Sequence, residues 1–323
     1  MRSGVWMVPK RERAVVLESV DDVEIHPESE VFATGKGGVG KSTTAAHQAA
    51  YYAKNGLRTL LVCVTGQEDD DLGVSQGRGT PPPGDSVMAG HGLYDAIDRG
   101  MPLNPVTDVR PGLDVVPGGL KVGKIPTLLT MRMMEEGPAC MQSLALSMQP
   151  LIHLYDRVVF DSAPENDTLE QLVLGAARRM FTPTRSDSSS INGLRRIAGN
   201  WRIVRQRGIN RQVEVAGAFL YGSNPSATSL HQQVKGKVEE ILGDSTPILS
   251  TVVGYREKPA VNARTKGLLF WEYADLLPHS ARSYDVAAGR AKEEDVVPEA
   301  ALPLAKDMQA LNEEIASYSG GLK

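Results

Sequence analysis

Cysteine is scarce: Cys63 and Cys140 are the only two in 323 residues, far apart and in no CxxC pair. No disulfide framework and no single-chain zinc or iron–sulfur site is therefore expected, and a reducing cytoplasm is the simpler reading. Aromatics make up 5% of the chain, so aliphatic side chains must supply the core that a hydrophobic content of 41% allows. No apolar run approaches the roughly 20 residues of a membrane span. The start is basic at Arg2, Lys10, Arg11 and Arg13 but lacks the apolar centre of a signal peptide. A net charge of −4 argues against coating nucleic acid with the whole surface, so any such contact needs a local basic patch. The six histidines, His26, His47, His91, His153, His231 and His279, show no ligand spacing and read as ordinary polar positions.

What is present is a phosphate-binding loop. Gly35-Lys36-Gly37-Gly38-Val39-Gly40-Lys41-Ser42 fits G-x-x-x-x-G-K-[ST], followed by Thr43 and carrying a second lysine, Lys36, ahead of the glycine run. Its glycines let backbone N–H groups turn inward around phosphate oxygens; Lys41 supplies charge and Ser42 a hydroxyl for Mg2+. Before it, Val31 to Thr34 suits a buried strand. After it, the alanine-rich stretch from Ser42 to Asn55 suits a helix ending at Asn55-Gly56, whose N-terminus faces the phosphates.

Further apolar runs mark strands at Thr59–Val64, Leu113–Pro117, Tyr155–Asp161, Met180–Pro183, Val213–Tyr221 and Ile248–Val253, with a helix from Cys140 to Leu154. Segments long enough for crossover helices separate most of them. The pattern predicts an α/β fold with a doubly wound, mostly parallel sheet in three α/β/α layers. Residues 1–29 form an N-terminal extension whose Ala14–Leu17 and Val20–Ile25 runs suit an edge strand or packing on the sheet. Residues 30–277 form the nucleotide-binding domain and 278–323 a tail. In the tail, Leu304, Met308, Leu311, Ile315 and Tyr318 line one helical face opposite Asp307, Asn312, Glu313 and Glu314. That polarity favours a docking helix over a membrane-surface helix. The Gly- and Pro-rich stretch 74–90 reads as a surface loop, either a lid or a linker. Val158-Val159-Phe160-Asp161 is an apolar strand ending in a carboxylate, which places Asp161 as the Mg2+ partner opposite Ser42.

With these residues in view, the chain resembles the ParA/MinD family of deviant-Walker ATPases, whose loop reads KGGVGK[ST]T, as Lys36 to Thr43 do here. Leu113 to Gly119, Tyr155 to Pro164, Pro183-Thr184-Arg185-Ser186-Asp187 with Asn192-Gly193-Leu194, and Val252 to Tyr273 look like its plasmid and chromosome partition branch. The resemblance covers roughly residues 30–275. It implies an ATPase using ATP and Mg2+, a homodimer sandwiching two nucleotides with Lys36 reaching the partner's phosphates, and Lys36, Lys41 and Asp161 as the catalytic groups. It also implies nonspecific DNA binding, a ParB-like centromere-binding partner and a nucleoid-associated cytoplasmic location. Asn224 would sit near the adenine, although Asn224-Pro225 reads equally as a plain turn.

One departure bears on rate. Family members carry D-x-D-P-Q after the second strand, where an aspartate positions the attacking water; Cys63-Val64-Thr65-Gly66-Gln67 stands here. Threonine can hold a water but cannot act as its base, a loss of about 10²–10⁴ in rate, unless Glu68, Asp69 or Asp70 substitutes. Two basic stretches are DNA candidates or simply solvated surface: Arg256, Lys258, Arg264 and Lys266, and Arg195, Arg196, Arg202, Arg205, Arg207 and Arg211. Three other readings stand beside a partition ATPase: a nucleotide-gated scaffold with vestigial hydrolysis, a MinD-like membrane regulator, and a nitrogenase-reductase-like iron–sulfur ATPase.

Overall fold

The computed structural model describes residues 23–66, 72–82, 88–224, 226–290, 292 and 295–322. The runs at Ala14–Leu17 and the carboxylates Glu68, Asp69 and Asp70 lie outside the described residues, as does part of the 74–90 loop.

Eight strands form one sheet: β1 (Ser29–Phe32), β2 (Thr59–Val64), β3 (Val106–Arg110), β4 (Leu113–Val116), β5 (Arg157–Ser162), β6 (Arg179–Thr184), β7 (Glu214–Ser223) and β8 (Ile248–Gly254), in the order β3-β4-β2-β5-β1-β6-β7-β8. Every pairing is parallel except β3 with β4. The strand β3 was not expected from the sequence. Its Val-Thr-Asp-Val-Arg run is short, and Asp108 sits at a left-handed φ of 56° that interrupts any alternating pattern.

The central strands are buried on both faces, which is why they read as continuous apolar runs. Val31 and Ala33 enter one core; Phe32 between them enters the other. The first core is covered by α2 (His91–Arg99), α3 (Ile125–Glu136), α4 (Ser143–Met148), α5 (Asp167–Leu174), α6 (Ser188–Gln206) and α7 (Thr228–Leu242). The second is covered by α1 (Lys41–Lys54), α8 (Glu257–Thr265), α9 (Phe270–Ala274) and α11 (Ala301–Tyr318), while α10 (Ser283–Ala287) lies in the connection before α11. The alanines of α1 are buried between sheet and α11, so its small side chains let a second helix lie over it.

Two further expectations need correction. The segment Cys140–Leu154 is not one helix: α4 stops at Met148, flanked by 3-10 turns at Gly137–Gln142 and Gln149–Leu151, because Pro150 lacks an N–H and disfavours helix in the residue before it. In α11 the acidic side packs against the sheet as well. Glu314 accepts from the N–H groups of Ser250 and Thr251 (2.7 and 2.9 Å), and Asp307 accepts from that of Gly254 (3.0 Å). These carboxylates cover the otherwise unpaired edge of β8. Asn312 is fully buried, whereas Tyr318, placed on the apolar face by spacing, is 43% exposed.

Candidate active site

The glycine-rich loop runs from β1 into α1 and is pressed against α6. Gly35 N–H donates to the Gly193 carbonyl (3.2 Å), and a Cβ on Gly35 would lie 2.7 Å from that oxygen. A Cβ on Gly193 would lie 2.9 Å from the Lys36 Cβ, so two glycines from distant segments permit this approach. Gly38 and Gly40 take left-handed φ values of 71° and 86°. Any other residue at Gly40 would also strike the Tyr221 ring, 2.5 Å from its Cβ. At Gly38 a Cβ would meet nothing within 4 Å, and Gly38 lines an open cleft, so room is left on the ligand side of the loop. Val39 is buried and anchors the loop's centre.

The two lysines occupy different positions. Lys41 is buried and its Nζ donates to the Lys36 carbonyl (2.9 Å), across the loop's mouth. Lys36 turns the other way: its Nζ donates to Asp187 Oδ1 (2.7 Å) and Ser190 Oγ (3.2 Å) at the start of α6. Burial pushes the Asp187 carboxyl up, but hydrogen bonds from Lys36, Ser189 and Ser190 together hold it well below the usual carboxylate range. Asp187 also caps α6, accepting from Ser190 N–H (2.9 Å). Asp187 lies in the Pro183–Asp187 segment that resembles the family, and its role becomes visible only in the fold.

On the other side of β1, Asp161 near the end of β5 lies in register with Phe32 of β1 and Cys63 of β2 and is 1% exposed. Ser42 and Asp161 line one cavity of about 20 Å3 with Cys63, Val115 and Pro117, room for a single water-sized species. A hydroxyl and a carboxylate facing one small space are the hard oxygen donors that Mg2+ takes.

A family model described as an AAA domain (AAA_31) matches residues 30–215. The chain belongs to the ParA/MinD family of P-loop ATPases. It is 26% identical over 264 residues to the chromosome-partitioning ATPase Soj of Treponema pallidum, covering 80% of this chain and 94% of that one. To Soj of Thermus thermophilus it is 29% identical over 217 residues, covering 66% and 76%. Apo McdA of Cyanothece has the same fold, with a TM-score of 0.62 at 16% identity, covering 88% of this chain and 99% of that one. A putative plasmid partition protein of Borrelia burgdorferi bound to AMPPNP has a TM-score of 0.56 at 18% identity, covering 75% and 90%.

A cleft of about 460 Å3 opens beside the loop over the ends of β6, β7 and β8, lined among others by Gly40, Thr43, Arg185, Tyr221, Tyr255 and Arg264. Two of the residues read as DNA contacts face it: Arg256 pairs with Asp307 (2.5 Å), and Arg264 donates to Thr43 Oγ1 (3.0 Å). Lys258 is exposed and Lys266 half-buried. Asn224 is exposed beyond β7, and its Oδ1 accepts from Ser226 N–H (3.1 Å), as an Asx turn does. Of the second basic stretch, Arg196 pairs with Asp167 (2.7 Å), and Arg202 and Arg205 donate to the carbonyls of Ile241 and Val213. Thr65, where the family has an aspartate, is buried just past β2. The described part of the Gly- and Pro-rich loop lies largely at the surface: Val74 is buried, residues 75–77, 80 and 81 are exposed, and Gln76 donates to the Thr265 carbonyl (3.2 Å).

Among the described residues no helix is long and apolar enough to cross a membrane.

Proposed function

We propose that this chain is a partition-type ATPase that binds ATP with Mg2+, dimerises around two nucleotides and in that state holds nonspecific DNA, acting with a ParB-like partner. The observation that carries the reading is the pairing of a two-lysine phosphate loop with Ser42 and Asp161, which face one small cavity with otherwise apolar walls. Bound Mg2+ would neutralise charge on the terminal phosphates, held by Ser42 and Asp161. The protein's own groups do the rest. The loop N–H groups and the N-terminus of α1 orient the phosphates, and Lys41 lies against the loop ready to pair with them. Lys36 points away from its own loop toward α6 and is released from Asp187 to serve a partner's nucleotide. Arg256 is half-buried against Asp307, so DNA contact falls to the exposed Lys258 and Arg264, the adjoining Lys266 and exposed arginines of α6 such as Arg195. Relatives with chromosome-partitioning names support the process assigned.

A second reading, a nucleotide-gated scaffold with vestigial hydrolysis, is favoured by Thr65 alone. One set of measurements separates them: self-association, salt-dependent DNA binding and turnover with ATP, ADP and no nucleotide, for wild type and Lys36→Ala. A partition ATPase dimerises and binds DNA with ATP, then turns over when DNA and partner are added. Normal ATP-dependent dimerisation of Lys36→Ala refutes the cross-subunit role.

A further inference from the structure

The two cysteines lie on opposite faces of the sheet. Cys140 packs in the first core, where its Sγ contacts the Leu129 carbonyl, whereas Cys63 near the end of β2 belongs to the second. Cys63 is in register with Asp161 across the parallel pairing of β2 with β5. Side chains alternate faces along a strand, so Leu61 and Cys63 point to the α1 side, as Val159 and Asp161 do. The cavity that Ser42 and Asp161 face accordingly has Cys63 in its wall. Among the described residues lining it, the Ser42 hydroxyl, the Asp161 carboxylate and the Cys63 sulfur are the only side-chain heteroatoms, the rest being hydrocarbon from residues such as Leu61, Val115 and Pro117. Its volume of about 20 Å3 admits one water-sized species. An ion bridging Ser42 and Asp161 there has the Cys63 sulfur as its next neighbour rather than a layer of water. The family's D-x-D segment puts a carboxylate at this place, so here a hard oxygen donor is exchanged for sulfur.

We propose that Cys63 Sγ is a ligand to the nucleotide's metal ion in this chain, giving the site a preference for thiophilic divalent cations of the Zn2+, Cd2+ and Co2+ class beyond that of an all-oxygen site. The inference rests on the reading above that Ser42 and Asp161 hold that ion. Sulfur favours softer ions, whereas Mg2+ demands oxygen and gives up its waters reluctantly. Ser42, Asp161, Cys63 and one phosphate oxygen supply four donors, the number a zinc site uses. As the Sγ–metal bond forms, the S–H bond breaks and its proton passes to solvent; no electron is transferred.

Co2+ with the non-hydrolysable analogue AMPPNP reports the bond directly, because sulfur ligation gives a near-ultraviolet charge-transfer absorption that oxygen ligation lacks. Wild type and Cys140→Ala should show the band, and Cys63→Ser and Cys63→Ala should lose it, with circular dichroism to verify folding. Calorimetric titration of Cd2+ in saturating AMPPNP should show affinity at least about tenfold weaker in both Cys63 variants, with Mg2+ affinity within about twofold of wild type. The wild-type spectrum needs no substitution, so it tests the proposal even if the Cys63 variants fold poorly. A wild type that binds Co-AMPPNP without the band overturns the proposal. So does a band that survives Cys63→Ser or vanishes in Cys140→Ala, and so does equal weakening of Cd2+ and Mg2+, which would make Cys63 a packing residue. If wild type binds AMPPNP with neither Mg2+ nor Co2+, the nucleotide-binding reading itself falls, an outcome distinct from these.

Discussion

Lys36 Nζ lies 2.7 Å from Asp187 Oδ1 of the same chain, so the lysine that marks this family's loop is held by the residue that caps α6. An ammonium cannot stay on Asp187 and also reach phosphates bound by a partner. In the proposed dimer this pair would have to break in each subunit. The side chains are 25% and 45% exposed, so solvent screens the interaction and its worth is about 1 kcal/mol or less.

Replacing Asp187 with Asn keeps a capping oxygen for Ser190 N–H while removing the charge that holds Lys36. ATP-dependent self-association should tighten by up to about fivefold per lysine, with two lysines per dimer. Sedimentation over a concentration series reads this directly. An unchanged or weaker association would mean that the pair positions Lys36 rather than restrains it.

Thr65→Asp restores a carboxylate where the attacking water is positioned in the family. General-base assistance is worth about 10²–10⁴, so steady-state phosphate release should rise by at least about tenfold while ATP affinity stays within a few-fold. No rise, in a variant that still binds ATP, would assign the base to another group.

Glu30 sits in β1 within a buried cluster: Tyr52 Oη and Ser319 Oγ donate to its Oε2 (3.1 and 2.8 Å), with Arg157, Arg179 and Glu28 nearby. Burial pushes the Glu30 carboxyl up to about 7, with the two hydrogen bonds opposing it only in part. The folded state therefore keeps a proton that the unfolded chain loses near pH 4.5. Stability from this group is complete below that value and is lost as pH rises through about 7, by about 3 kcal/mol. Glu30→Gln should gain stability relative to wild type between pH 5 and 8, measured by chemical denaturation. A pH-independent difference would remove Glu30 as the titrating group.

His47 has the opposite sign. It is buried in α1, its Nδ1 lies 2.7 Å from the Thr43 carbonyl, and its Nε2 accepts from Phe270 N–H (2.8 Å), so the neutral ring with the proton on Nδ1 fits both. Burial lowers its pKa to about 4, the bond to Thr43 opposing. Its contribution is present above pH 6.5 and is lost as pH falls through about 4. His47→Ala leaves the Phe270 N–H without its acceptor and should cost about 2–4 kcal/mol at pH 7. It should also flatten the acid limb of the stability profile. A cost below about 0.5 kcal/mol would show that α9 is held by other contacts.

Much of this molecule is dictated locally. The loop motif, the strand-helix context around it and the apolar runs depend on residues near each other in sequence, and they sufficed for the parallel strands of the sheet and for the family. A short edge strand interrupted by Asp108 left no such trace. Tertiary structure alone decided where long polar side chains end. Arg256 and Arg264 look like one basic patch in sequence, but in the fold they line the cleft and pair with Asp307 and Thr43, 51 and 221 residues away. Helical spacing puts Asp307 and Glu314 on the polar side of the tail helix, and only the fold shows that they satisfy the open edge of β8. The same holds for Lys36, whose charge sequence assigns to a partner and whose resting place is set by an aspartate 151 residues downstream. Charged groups pair across the fold with whatever the packing brings within reach, and that is not periodic in sequence.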